Sequence, residues 1–277
     1  MNAAYLKDIV ARALAEDLGG RGDVTSEAVI PAHAQVSFVI AARSEGVLAG
    51  QAVAQEVFGQ CGPALKTYWR AHDGDRVNAG DVVLAVEGSA RAILVAERTA
   101  LNFLGRLSGI ATLTRAYVDA VQGTGARIAH TRKTTPALRA LELAAVRAGG
   151  GASHRFGLDD AILIKDNHVA VAGSVGEAVS RARSFAGHMT RIAVEIDRLD
   201  QLDEAIKAGA ESVLLDNFPL DDLKSAVKAA KGKLILEASG GVDLTTVRAI
   251  AQTGVDVISV GALTHSAPNF DFGMDAR

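Results

Sequence analysis

Short apolar runs punctuate the second half of the chain at nearly regular intervals: RIAHT (127–131), AILIK (161–165), RIAVEI (191–196), SVLLD (212–216), KLILEAS (233–239) and VDVISVG (255–261). Nearly continuous hydrophobicity over so few residues marks a strand buried on both faces, and each interval is long enough for a helix, so the pattern predicts parallel βαβ units. The first half reads differently. Leu6, Ile9, Val10, Ala13 and Leu14 fall at helical spacing in MNAAYLKDIVARALAEDLGG, predicting an amphipathic helix ended by Gly19. From Val36 to Glu87, VSFVIAA, VLAGQAVAQEVF, LKTYWRA and DVVLAVEG predict strands, the second running into a short helix, between glycine and Asp-Gly turns. HDGDRVNAGDVVLAVEG (72–88) has the turn spacing of domains that carry biotin or lipoate but lacks their modified lysine, so a structural hairpin is expected. ERTALNFLGRLSGIATLTRAYVDAV then predicts a helix with Leu101, Leu104, Ile110 and Leu113 inward.

The strand ends choose between an open sheet and a barrel. Polar residues close almost every run: Arg132 and Lys133, Lys165 and Asp166, Glu195 and Asp197, Asp216 and Asn217, Ser239 and Gly240, then Gly261. In a barrel the carboxyl ends of all strands meet at one mouth, whereas a doubly wound sheet offers only the crevice at its switch point. A barrel is therefore expected, and six runs in place of eight predict an incomplete one.

With 277 residues, 49% of them hydrophobic, there is enough chain for one large core or two modest domains. A net charge of −3 with 4% aromatics removes the basic field and stacking rings of a nucleic-acid binder. The single cysteine, Cys61, excludes an intramolecular disulfide and fits a reducing compartment; its expected role is a small core hydrophobe. Neither a signal-peptide h-region nor an 18-residue apolar span is evident, so a cytoplasmic protein is expected.

Charge concentrates where the strands end. Between Thr131 and Lys165 six basic residues (Arg132, Lys133, Arg139, Arg147, Arg155, Lys165) face three acids (Glu142, Asp159, Asp160), which suits an anionic substrate. Guanidinium groups grip carboxylate or phosphate through paired hydrogen bonds. Arg139 and Arg147 lie within PALRALELAAVRA, a predicted helix with Thr135 as N-cap and Pro136 at its first position, and read as a solvated face. The glycines after it make GGGASHR a flexible connection that carries His154 and Arg155 towards the mouth. Glu195 and Asp216 end neighbouring strands and could share Mg²⁺ with water and a phosphate. EASGG (237–241) and VGALTHS (260–266) follow the last two strands, where barrels commonly hold phosphate. His33, His72 and His188 read as surface residues; His130, His168 and His265 lie near strand ends without zinc-ligand spacing.

TRKTTPALRALELAAVRAGGGASHRFGLDDAILIKDNH (131–168) resembles the signature of the quinolinate phosphoribosyltransferase family, also called nicotinate-nucleotide pyrophosphorylase (carboxylating). EDLGGRGDVTS, ERTALNFLGRLSGIAT, VEID, LLDN, EASGG and VGALTHS agree in order, so the resemblance covers nearly the whole chain. It implies an N-terminal α/β sandwich domain (1–108, joined by the tail 266–277) followed by an incomplete (α/β) TIM-like barrel (109–265). It also implies quinolinate binding by Arg132, His154, Arg155 and Lys165 beside Thr131 and Lys133. Arg98 would come from the partner subunit of a homodimer. Glu195 and Asp216 would handle Mg²⁺ and phosphoribosyl pyrophosphate, and Ser239, Gly240, Gly241, Gly261 and Ala262 would line phosphate loops. Lys133, Lys165, Glu195 and Asp216 are the expected catalytic residues, with no organic cofactor, no nucleic acid and no membrane. Ser153 and Leu143-Ala144 replace an asparagine and a lysine-tyrosine pair common in relatives.

The expected reaction joins the quinolinate ring nitrogen to C1 of the sugar, expels pyrophosphate and then loses CO₂ from C2, with Lys133 or His154 as candidate proton donors. Three other readings are open to the sequence: a Schiff-base aldolase using Lys165, a phosphate-sensing module without turnover, and a molybdenum-transport-associated paralogue. The last shares the TRK and GGG elements but not the IKDNH ending.

Overall fold

The computed structural model describes residues 2–230 and 232–277. The chain forms two compact units: one takes the chain up to Leu113 with Pro136–Gly150 and Ala267–Arg277, the other Thr114–Thr135 with Gly151–Ser266. Residues 136–150, placed with the barrel from sequence, group with the first unit.

In the first unit, α1 (Ala3–Leu18) starts where Asn2 accepts the Ala4 N–H and stops at Gly19, whose φ is 52°. Asp23 caps α2 (Val24–Val29), and the Ser26 hydroxyl, then the Ser26 and Thr25 N–H groups, hold its carboxyl below the usual range. There follow β1 (Gln35–Ala42), β2 (Gly46–Val47), α3 (Gln51–Cys61), β3 (Lys66–Trp69), β4 (Arg76–Val77), β5 (Val82–Ser89) and α4 (Ala90–Ala120). The last strand of the chain, β12 (Phe272–Ala276), completes an antiparallel sheet of order β12-β1-β5-β3. The expected hairpin at 72–88 is not one: β4 pairs with β2, while β5 pairs with β1 and β3. Ile40, Phe58, Leu84, Val86, Ile93 and Leu104 are wholly buried. Cys61 is half-buried, not core, and burial pushes its thiol up to about 11.

Two features fasten this unit's distant segments. Gly105 and Gly109, one turn apart on α4, let the tail cross the helix at backbone contact. A Cβ at either would lie 2.8 Å from the Phe270 carbonyl or 2.0 Å from that of Pro268. In α5 (Arg139–Ala148), Glu142 is fully buried and accepts from Arg106 Nη2 at 3.0 Å, while Arg106 Nη1 donates to the Ala267 carbonyl at 3.0 Å. This helix begins at Arg139, later than the expected start at Pro136. Ala137 takes a left-handed φ of 65°, and its carbonyl accepts the Tyr5 hydroxyl at 2.7 Å, so helical hydrogen bonding starts only beyond it.

The second unit alternates strands and helices: β6 (Arg127–Ala129), β7 (Ile162–Ile164), α6 (Asp166–Ala172), α7 (Val175–Phe185), β8 (Ile192–Ile196), α8 (Gln201–Ala208), β9 (Ser212–Asp216), α9 (Leu220–Ala230), β10 (Ile235–Ser239), α10 (Val247–Ala251), β11 (Val257–Ser259) and α11 (Ala262–His265). All six predicted runs are strands, paired in parallel in the order β6-β11-β10-β9-β8-β7. From β7 to β11 each strand pairs with its successor, and the first strand pairs with the last. An order of that kind has no switch point and belongs to a barrel. The ring stays open between β6 and β7, where a single bridge joins Ala129 to Ala152. Along β8, Ile192, Val194 and Ile196 are buried, while Ala193 and Glu195 alternate with them and line cavities. Among the described residues no helix is long and apolar enough to cross a membrane.

Candidate active site

A cavity of about 460 Å³ opens at the carboxyl ends of the barrel strands. Thr131, Arg132 and Lys133 reach it from the turn after β6, His154 and Arg155 from the glycine-bearing connection, Lys165 from the end of β7, and Glu195, Asp216 and Ser239 from β8, β9 and β10. Gly240 and Gly241 follow β10, Gly261 precedes α11 and Ala262 begins it; these four do not line the cavity itself. Arg98 lies exposed on α4 in the first unit. Arg139 and Arg147 also stay out of the cavity.

The cationic wall is poorly compensated by the protein. Burial, and then the positive charge of Arg132, push the Arg155 guanidinium below its ordinary value, and Asp160 offsets this only in part. Arg155 Nη1 donates to the Ala161 carbonyl at 3.1 Å, yet Arg155 Nε and Arg132 Nε are sealed from solvent without an acceptor. Two adjacent, partly desolvated guanidiniums are stabilised by a bound dianion, which offsets what desolvation and mutual repulsion cost.

At the ends of the neighbouring strands β7 and β8, Lys165 Nζ pairs with Glu195 Oε2. Lys165 is also the N-cap of α6, and its backbone N–H donates to His168 Nδ1 at 3.0 Å. In this way the polar end of ILIKDNH holds the lysine in place. Asp216 accepts from the Asn217 side-chain amide at 2.8 Å, and the Asn217 backbone N–H donates to the Ser239 carbonyl at 2.8 Å. Gly240 fits against this arrangement only because it lacks a side chain: its φ is +92°, and a Cβ would sit 2.1 Å from Asn217 Oδ1. Lys133 is anchored by its carbonyl, which accepts the Thr264 hydroxyl at 2.7 Å, and its stem passes Gly261, where a Cβ would meet Lys133 Cδ at 3.1 Å.

The histidines near strand ends have structural bonds. His130 is fully buried; its Nε2 accepts the His154 backbone N–H at 3.1 Å, which places its proton on Nδ1, facing the Thr131 carbonyl at 3.2 Å. His265 Nδ1 lies 2.6 Å from the Ser266 hydroxyl.

Sequence reasoning missed two polar lining residues, Glu237 and Ser259. Each lies inside an apolar run, and the signal was the polar side chain itself: a carboxylate at the fifth position of KLILEAS and a serine at the fifth of VDVISVG. For a metal, the cavity supplies carboxylate oxygens from Glu195 and Asp216, the donor type Mg²⁺ takes when water and phosphate complete its shell. Among the described residues no group of three or more His, Cys, Asp or Glu side chains forms a ready-made metal cage.

The family model described as quinolinate phosphoribosyl transferase, N-terminal domain, matches residues 23–108, and that for the C-terminal domain matches residues 110–275. The nicotinate-nucleotide pyrophosphorylase (carboxylating) of Mycobacterium leprae is 46% identical over 276 residues, covering 97% of this chain and 96% of its own. Quinolinate phosphoribosyltransferase (decarboxylating) 2b of Nicotiana tabacum is 40% identical over 97% of this chain and 81% of its own. The solved nicotinate-nucleotide pyrophosphorylase from Francisella tularensis superposes with a TM-score of 0.96 at 38% identity, covering 100% of this chain and 98% of that one. Family models across both units and full-length likeness at this level lead to one conclusion: the chain belongs to the quinolinate phosphoribosyltransferase family.

Proposed function

We propose that this protein transfers phosphoribosyl from phosphoribosyl pyrophosphate to quinolinate with decarboxylation, giving nicotinate mononucleotide, pyrophosphate and CO₂, a step of NAD biosynthesis. The observation that carries the reading is one cavity lined by Arg132, Arg155 and Lys165 together with Glu195 and Asp216. A pyridine dicarboxylate supplies the negative charge that the two mutually repelling guanidiniums lack, and the two acids suit the electron-poor sugar carbon. Family membership supports the same substrates.

In this reading Arg132, Arg155, His154 and Lys165 orient quinolinate so that its ring nitrogen meets C1 of the sugar, with Thr131 and Lys133 beside them. The N–C1 bond forms as the C1–O bond to pyrophosphate breaks. Glu195 and Asp216 stabilise positive charge developing on the sugar. Mg²⁺ would be held by Glu195 and Asp216 and would supply neutralising charge for the pyrophosphate. Ser239, Gly240, Gly241, Gly261 and Ala262 cradle phosphate. The new pyridinium withdraws electrons from C2, so the C2–carboxylate bond breaks with its electron pair left on C2, which then takes a proton. No organic cofactor is needed. The active species is a homodimer in which Arg98 of one chain completes the other chain's site, and the low cysteine content favours the cytoplasm.

Lys165 held against Glu195 is an ammonium in an ion pair, the opposite of the desolvated amine that a Schiff-base aldolase needs. The IKDNH ending separates the chain from the molybdenum-associated paralogue. The test is an assay for nicotinate mononucleotide from quinolinate and phosphoribosyl pyrophosphate, with and without Mg²⁺. Formation of the mononucleotide with stoichiometric pyrophosphate and CO₂ is expected, and Arg132→Ala should abolish quinolinate binding in calorimetry. No mononucleotide, or ligand binding without turnover, overturns the proposal.

A further inference from the structure

Glu237 is the carboxylate of the barrel lumen to which the reaction above gives no role. It sits in β10 opposite Leu214 of β9, and Glu195 of β8 lies opposite the same Leu214 on the other side, so the two glutamates flank β9 at one level. Glu237 is 8% exposed, and its Oε1 is sealed from solvent without a hydrogen bond of ordinary length. An orphaned buried carboxylate oxygen is costly and calls for a reason. His154 Nε2 stands 3.4 Å from it.

The proton positions in His154 follow from its other bond. Nδ1 accepts the Arg155 backbone N–H at 2.8 Å, so the ring proton is on Nε2, the ring edge that lies nearest Glu237 Oε1. The His154 backbone N–H is itself taken by His130 Nε2 at 3.1 Å. Beyond the Ala129–Ala152 bridge, the connection carrying the cationic wall is held by imidazole nitrogens: His130 fixes the backbone of His154, and the His154 ring fixes that of Arg155. A ring that accepts at one edge can turn away unless its other edge is also held, and a carboxylate facing N–H is the usual device for that.

We propose that Glu237 is a positioning residue of the quinolinate site: it keeps the His154 ring in its Nε2–H tautomer and orientation, and through the His154–Arg155 bond it aims the Arg155 guanidinium at the substrate carboxylate. The inference rests on the proposed function for the identity of the ligand and goes beyond it in assigning Glu237. It also removes His154 Nδ1 as the source of the proton that C2 takes, because that nitrogen is an acceptor.

The experiment compares wild type with Glu237→Gln and Glu237→Leu, using steady-state kinetics for both substrates and two-bond ¹H–¹⁵N spectra of the imidazoles. Gln keeps an acceptor for Nε2–H, so Glu237→Gln should stay within about threefold of wild type, whereas loss of the partner in Glu237→Leu should raise KM for quinolinate about tenfold or more. In the same variant kcat and KM for phosphoribosyl pyrophosphate should change less than about threefold, and His154 should pass from pure Nε2–H to a mixture of tautomers. Unchanged KM with an unchanged His154 tautomer overturns the proposal, as does a loss confined to kcat. Glu237→Met gives the same reading should Glu237→Leu fail to fold. The spectra need no turnover, so a wild-type protein inactive on quinolinate defeats the function while the tautomer result still judges the role of Glu237.

Discussion

Gly240 shows how closely the site depends on single residues. Its φ is positive and a side-chain carbon there would collide with Asn217 Oδ1, so there is no room for a methyl group, and Asn217 in turn holds Asp216. Gly240→Ala should therefore raise KM for phosphoribosyl pyrophosphate by about tenfold or more and leave KM for quinolinate nearly unchanged, with about 1 kcal/mol or more of lost stability from the forced backbone. Kinetics in both substrates together with denaturant unfolding check this. At this scale the charged residues were legible because a lysine or aspartate closing an apolar run has no packing reason to be there. Glu237 and Ser259 were not, because within a run the period-two alternation that separates lumen from helix-facing side is masked when both faces are dry. The proton positions of His130 and His154 were beyond the sequence altogether, since they depend on which backbone N–H each ring meets.

Between elements, the Arg106–Glu142 pair couples α4 to α5, and the Ala267 carbonyl brings in the tail. Glu142 has no solvent exposure, so removing it leaves a largely buried guanidinium without its carboxylate. Glu142→Ala should lower unfolding free energy by about 3–5 kcal/mol, and Arg106→Ala added to it should cost much less than it does alone. Chemical denaturation of the four members of that cycle decides the matter; additive losses would show that the pair is not coupled. Elements were predicted well where one signal dominated: all six barrel strands and the Gly19 stop of α1 come from runs and turns that no tertiary contact overrides. The start of α5 was misplaced because Thr135-Pro136 is a sound local start signal. Its override is a long-range bond from Tyr5 to the carbonyl of left-handed Ala137.

For the whole molecule, the proposed dimer predicts complementation between dead variants. Arg98→Ala spoils what a chain lends, and Lys165→Ala spoils the site it owns. Mixed and re-equilibrated in equal amounts, half the dimers are hybrids with one intact site each, so about a quarter of wild-type activity should return. If Arg98 serves its own chain, no activity returns. The barrel was readable from the rhythm of its strands, but the position of its opening was not: only the pairing of β6 with β11, and its absence between β6 and β7, locates the break. The resemblance assigns the tail 266–277 to the first domain, but that it ends as a strand, β12, was hidden, since FGMDA is too short and mixed to announce one. That strand has a consequence for biosynthesis. During translation β1 leaves the ribosome with one flank bare and must wait through the making of the entire barrel before its neighbour arrives, so nascent chains stalled short of Phe272 should expose an unpaired edge to chaperones and to one another.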